Sequence, residues 1–148
     1  MTKTAITKTW IAGLVTFAAG IVVALVGVFV MLVYGGTFTQ VAGSSNYDFT
    51  PNLQAAFWFG VAVIIVGGLA AVVGGIVQLA AWIGALVNSY ALPERTWFLI
   101  VLIGGLLSFA FAPLGFAAMV AYVAAAPDGA QFRAQPPAPG PTTLAPTS

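Results

Sequence analysis

Charge is what this chain has least of. Only 5% of its 148 residues are Asp, Glu, Lys or Arg, where a soluble domain carries about a quarter. With 61% hydrophobic residues and a mean hydropathy of +1.06, no water-exposed surface can be made from it, and the membrane class follows. Cysteine is absent, which excludes disulfides, thiolate metal sites and a cysteine nucleophile. Histidine is absent too, and with it the commonest general base and metal ligand. A formal net charge of +1 offers no dense basic patch for a nucleic-acid partner.

The charged residues are Lys3, Lys8, Asp48, Glu94, Arg95, Asp128 and Arg133, and all lie outside the long apolar runs. Ionisable groups at membrane depth mark proton relays, ion paths and voltage sensors. None is placed for such work, so coupled transport and catalysis lose most of their ground. No nucleophile–base pair can be drawn. The expectation is a non-enzyme without cofactor or metal.

What is present is apolar sequence broken at three places. Residues 1–9 are short, polar and basic. Trp10 to Tyr34 is an uncharged run of 25 residues, enough for one transmembrane helix. It is longer than a signal-peptide core, and its Ala18-Ala19-Gly20 falls mid-run, so a retained span is expected. A polar loop at 35–52 contains Gly43-Ser44-Ser45-Asn46. Thr37 to Val41 and Asn46 to Thr50 can pair as a small hairpin around that turn, but an isolated hairpin is marginal in water. An irregular loop is therefore the expectation. Thr50-Pro51 fits an N-cap followed by proline at the first helical position, which starts the next helix there.

Leu53 to Leu92 is the longest uncharged stretch and the axis of the expected bundle. As one helix it would run about 60 Å, twice the hydrocarbon thickness of a bilayer. Small residues recur along it every seven positions, at Gly60, Gly67, Gly74 and Ala81, and the line continues to Asn88. Gly13, Gly20 and Gly27 repeat the spacing in the first run. Small residues let helix backbones approach closely, so these seven are the candidate helix-packing positions.

Trp and Tyr favour the headgroup level at both membrane faces. Trp10 to Tyr34 and Trp58 to Trp82 are each 24 steps apart, and Trp97 to Tyr122 is 25. Each interval is about 36 Å of helix, so the intervals predict three transmembrane helices. Four spans, with the long stretch split at Gly74-Gly75, is the alternative; it would leave irregular backbone in lipid. The turn at 92–96 holds Pro93 and Glu94, which suit the first turn of the third helix. Pro113 should kink that helix.

The fold class is thus an all-α integral membrane protein, with a transmembrane region over 10–126 and a tail at 127–148. The tail holds six of the nine prolines and is expected to be disordered, with polyproline II character. Three spans put Lys3, Lys8 and Arg95 on one side and Arg133 on the other. The positive-inside rule then predicts a cytoplasmic N-terminus and an extracytoplasmic tail. An Ala/Gly/Val/Pro-rich composition points to a bacterial-type plasma membrane.

Beyond Trp82 the second helix projects past the bilayer with Ile83, Leu86, Val87 and Tyr90 on its surface. An apolar surface of that kind marks an interaction site, and these four are the candidate partner-contact residues. The bilayer apart, the expected partner is another membrane subunit or a second copy. An interfacial helix with Asn88 and Ser89 towards water is the competing arrangement for this segment. The function expected is that of an accessory or assembly subunit. The alternative is a holin-like pore-former, which is also small and polytopic.

Overall fold

The computed structural model describes residues 1–108, 110–129 and 131. The expected disorder of the proline-rich tail concerns residues that, from 132 on, lie outside the described ones. In chain order the elements are α1 (Lys3–Tyr34), β1 (Gly36–Gln40), β2 (Tyr47–Pro51), α2 (Ala55–Tyr90), α3 (Thr96–Leu107) and α4 (Ala112–Ala125). Helices α1 and α2 are long and apolar enough to cross a membrane, whereas α3 and α4 are apolar but short. The chain divides into two compact units, Thr4–Ile83 on the one hand and Met1–Lys3 with the residues from Gly84 onward on the other.

In the first unit α1 and α2 run antiparallel, and the glycines set their register. A Cβ built on Gly20 would lie 2.4 Å from the Ala71 backbone nitrogen and 2.7 Å from the Gly67 carbonyl oxygen. One on Gly67 would lie 2.4 Å from the Ala24 nitrogen and 2.6 Å from the Gly20 oxygen. Gly13 faces Gly74 in the same reciprocal way, and Gly27 faces Gly60. Each glycine therefore presents its bare Cα to its partner's carbonyl, the arrangement that weak Cα–H···O contacts need. One heptad further the same register brings Ile6 opposite Ala81, and both are fully buried. The outer faces of both helices remain apolar and exposed, with Val15, Leu25, Phe29, Val66, Leu69 and Ile76 among them.

The loop at 35–52 is a β-hairpin, where an irregular loop was expected. Its antiparallel register pairs Gly36 with Pro51, Phe38 with Phe49 and Gln40 with Tyr47. Gly43 takes φ +78° at the turn, a left-handed conformation that costs glycine nothing. The hairpin is not isolated, which is why it forms. Gly35 N–H donates to the Met31 carbonyl at 2.9 Å, and Asn52 N–H donates to the Gly35 carbonyl at 2.7 Å. The ladder's base is thus bonded to the end of α1. The Phe38 and Phe49 rings pack at 5.0 Å.

That ladder also corrects the start of α2. Thr50 and Pro51 complete β2, and the helix begins at Ala55, with the Gln54 carbonyl accepting from Phe57 and Trp58 N–H. Likewise α3 begins at Thr96 and leaves Glu94 outside its first turn.

The larger correction is the third span. Trp97 to Tyr122 is not one helix kinked at Pro113. The chain leaves the helical path at Ser108 and resumes at Ala112, with Pro113 in the first turn of α4. The missing N–H of proline breaks no bond there, so the residue taken for a kink is a helix start. Helices α3 and α4 pack as an antiparallel hairpin. Gly104 meets the Ala118 side chain and Gly115 meets that of Ser108. At 12 and 14 residues, they are about 18 and 21 Å long. Trp97 and Tyr122 therefore do not stand at opposite ends of one helix. Both stand at the open end of the hairpin, and Tyr122 is fully buried.

The glycine geometry separates neighbouring positions sharply. Gly67→Ala forces its methyl against the Ala24 backbone and should destabilise by about 1–3 kcal/mol, as overpacking does. Nothing lies within 4 Å of a Cβ on Gly68, so Gly68→Ala should be neutral or stabilising by up to about 1 kcal/mol of helix propensity. Thermal unfolding in mild detergent measures both; equal losses would refute the seam.

Candidate functional site

The second unit holds a buried polar cluster where α2 ends. Over its last turns α2 turns Ala85, Asn88 and Ser89 inward, and all three are buried, as is Leu92 just after the helix. The spacing of three and four residues keeps them on one helical face. Ser89 is satisfied within its helix, its hydroxyl donating to the Ala85 carbonyl. Asn88 looks outward from the helix and needs partners from elsewhere, since a buried amide left unpaired is costly.

Those partners come from α4 and the residues after it. The Asn88 amide oxygen accepts from the Tyr122 hydroxyl at 2.7 Å and from the Gly129 N–H at 3.2 Å. Its amide nitrogen donates to Asp128 Oδ1 at 3.3 Å. This orientation of the amide is the one that gives each atom a complementary partner. The other Asp128 oxygen, Oδ2, accepts from the Lys3 backbone N–H at 3.2 Å, while Lys3 Nζ donates to the Ala126 carbonyl. Gly129 lies so close to the end of α2 that a Cβ on it would meet the Asn88 carbonyl oxygen at 2.1 Å.

The cluster joins three stretches far apart in sequence: the start of α1, the end of α2 and the exit from α4. It corrects one expectation. Residues 127–129 are not part of a free tail, because Asp128 and Gly129 are bonded into this site. The chain leaves α4 beside Lys3, so α3 and α4 return it to the end it came from.

Of the expected partner-contact residues, Ile83, Val87 and Tyr90 are exposed, and Leu86 is half-buried. Tyr90 packs edge-on against Phe98 with ring centroids 5.7 Å apart. Asn88 and Ser89 do not face water, as an interfacial helix would require; they are the buried side of this segment. The packing positions Gly13, Gly20, Gly27, Gly60, Gly67 and Gly74 meet across α1 and α2 as described, and Ala81 is fully buried. Sequence reasoning missed Lys3, Tyr122 and Asp128. Asn88 had a signal, since it stands on the heptad line of Gly60, Gly67, Gly74 and Ala81.

Chemically the cluster holds a structure together. It contains an amide, a phenol and one carboxylate, each engaged by groups of the same chain. No group of three His, Cys, Asp or Glu side chains is placed to hold a metal among the described residues. A shallow concavity at the hairpin turn is lined by Gln40, Val41, Ala42, Gly43, Ser44 and Ser45 and carries no ionisable side chain. No protein-family profile, characterised protein or solved structure matches this chain.

Removing one member of the cluster strands the others. Asn88→Leu leaves the Tyr122 hydroxyl and the Gly129 N–H without their acceptor and should lower stability by about 1–3 kcal/mol. Asp128→Ala should cost a similar amount. Because both act in one network, the double variant should lose less than the sum of the two. Strict additivity in detergent unfolding would show that the bonds do not act together.

Proposed function

We propose that this is a non-enzymatic polytopic protein of a bacterial-type plasma membrane, acting through helix packing as an accessory or assembly subunit. Its partner is another membrane subunit or a second copy, and no nucleic acid is involved. One observation carries the reading. The polar groups at the end of α2 are taken up by the chain itself, while Ile83 and Val87 on its other side stay half or more exposed. A helix with one face closed and the other apolar is built to be covered.

The bilayer covers the rest. From Ile11 onward the exposed residues of α1, like those of α2, are apolar, and helical backbone bonds its polar groups within itself, as a membrane requires. The sidedness follows from charge and chain path together. Lys3, Lys8 and Arg95 belong to the end at which α1 starts and α2 finishes, and Asp48 is the one charged residue of the β-hairpin. With the chain returning after α4 to the N-terminal side, Arg133 is counted there by sequence. All four basic residues then fall on one side, which the positive-inside rule makes the cytoplasm. The reading is two crossings, an outer β-hairpin, and both termini inside.

Two experiments test this. Because the chain has no cysteine, single cysteines report position without background. In intact cells, Ser45→Cys should react with a membrane-impermeant thiol reagent, while Thr4→Cys and Gln131→Cys should stay protected. Reaction at Gln131→Cys would restore three spans. For the contact, Ile83→Ser with Val87→Ser should dissociate the complex seen by size-exclusion chromatography with light scattering in mild detergent. Insertion should be unaffected. A complex of unchanged mass would move the contact away from this face.

A further inference from the structure

The α3–α4 hairpin is too short to cross a bilayer and too apolar to lie in water. Its helices run about 18 and 21 Å, against roughly 15 Å for one leaflet of a 30 Å hydrocarbon core. No charged residue occurs between Arg95 and Asp128. Val101, Met119 and Tyr122 are buried between or beside the helices, while apolar side chains are exposed along the whole hairpin, from Leu99 and Val120 to Leu106, Leu107 and Phe111 at the closed end. Polar anchoring is at the open end, in the Asn88–Tyr122–Asp128–Lys3 cluster.

A turn inside hydrocarbon is tolerated only if its polar groups are bonded, and four of its backbone N–H groups have partners within the hairpin. Ser108 N–H donates to the Gly104 and Gly105 carbonyls, and its hydroxyl donates to Gly105 as well. Ala110 and Phe111 N–H both donate to the Leu107 carbonyl, and Leu114 N–H donates to that of Phe111. Pro113 has no N–H to satisfy. These bonds lower the cost of surrounding that end of the hairpin with lipid.

From this geometry, and resting on the membrane reading above, we infer that the α3–α4 hairpin inserts into one leaflet only, on the side of the N-terminus, with acyl chains as its partner. It thereby makes the protein prefer membrane that is convex on that side. Two helices about 10 Å wide enlarge one leaflet and have no counterpart in the other. Bending towards the enlarged leaflet relieves the mismatch. The polar cluster fixes the open end at the headgroup level, and that sets how deep Phe111 reaches.

The full chain reconstituted in vesicles tests both parts. A fluorophore on Phe111→Cys should be quenched most by lipids brominated near the end of the acyl chain, and an aqueous quencher should not reach it from either side. A fluorophore on Gln131→Cys should show the reverse. Accessibility of position 111 from the β-hairpin side would mean two further crossings and overturn the inference. In giant vesicles, impermeant dye on Thr4→Cys labels only copies with the N-terminus outside, and on Ser45→Cys only those with it inside. On a tether pulled from the vesicle, the first population should be enriched relative to a lipid dye and the second depleted. Leu107→Glu with Phe111→Glu should remove the difference. Equal densities in the unsubstituted chain would overturn the curvature preference, and failure to float with vesicles at all would overturn the membrane reading with it.

Discussion

Backbone approach along the glycine seam is the constraint on which the first unit depends. Where Gly20 meets Gly67, even a methyl group would stand 2.4 Å from a backbone nitrogen, far inside any real contact. In lipid the hydrophobic effect gives helices no reason to associate, so close packing and weak Cα–H···O bonds must do it. Three glycine pairs at a spacing of seven supply that over about four helical turns. A seven-residue period also keeps one stripe of each helix facing the other, with the slight left-handed supercoil such a repeat imposes.

The β-hairpin is a consequence of that pairing. Two antiparallel helices bring residues 35 and 52 together, and the bond between their backbones begins the ladder. A sequence too weak to hold a hairpin in isolation holds one when both ends are already fixed. The loop-closure entropy has been met by the helices.

At the other end polar bonding replaces close packing. Asn88 lies on the line that the glycines occupy, but its side chain needs hydrogen bonds, and it obtains them from Tyr122, Asp128 and Gly129. Lys3 ties the start of the chain to the same point. The α3–α4 hairpin is thereby fixed at its open end, while the one described polar side chain of its closed end, Ser108, is bonded back to the Gly105 carbonyl. One side of α2 is consumed in this arrangement, and Ile83 and Val87 on the other side stay exposed.

By itself the sequence determined the apolar character, the two long helices and the heptad glycine lines, because each is a property of local composition and period. It also contained the β-turn, as Gly43 among polar residues, but not the decision to pair. Tertiary structure alone decided that the segment from Trp97 to Tyr122 is a hairpin. A 25-step aromatic interval has the same length whether the chain runs straight or doubles back, and Pro113 is compatible with a kink or a helix start. It also decided the burial of Asn88 and Asp128. Hydrogen bonding between residues 3, 88 and 128 leaves no periodic trace, since its partners are distant in sequence and each is by itself an ordinary polar residue.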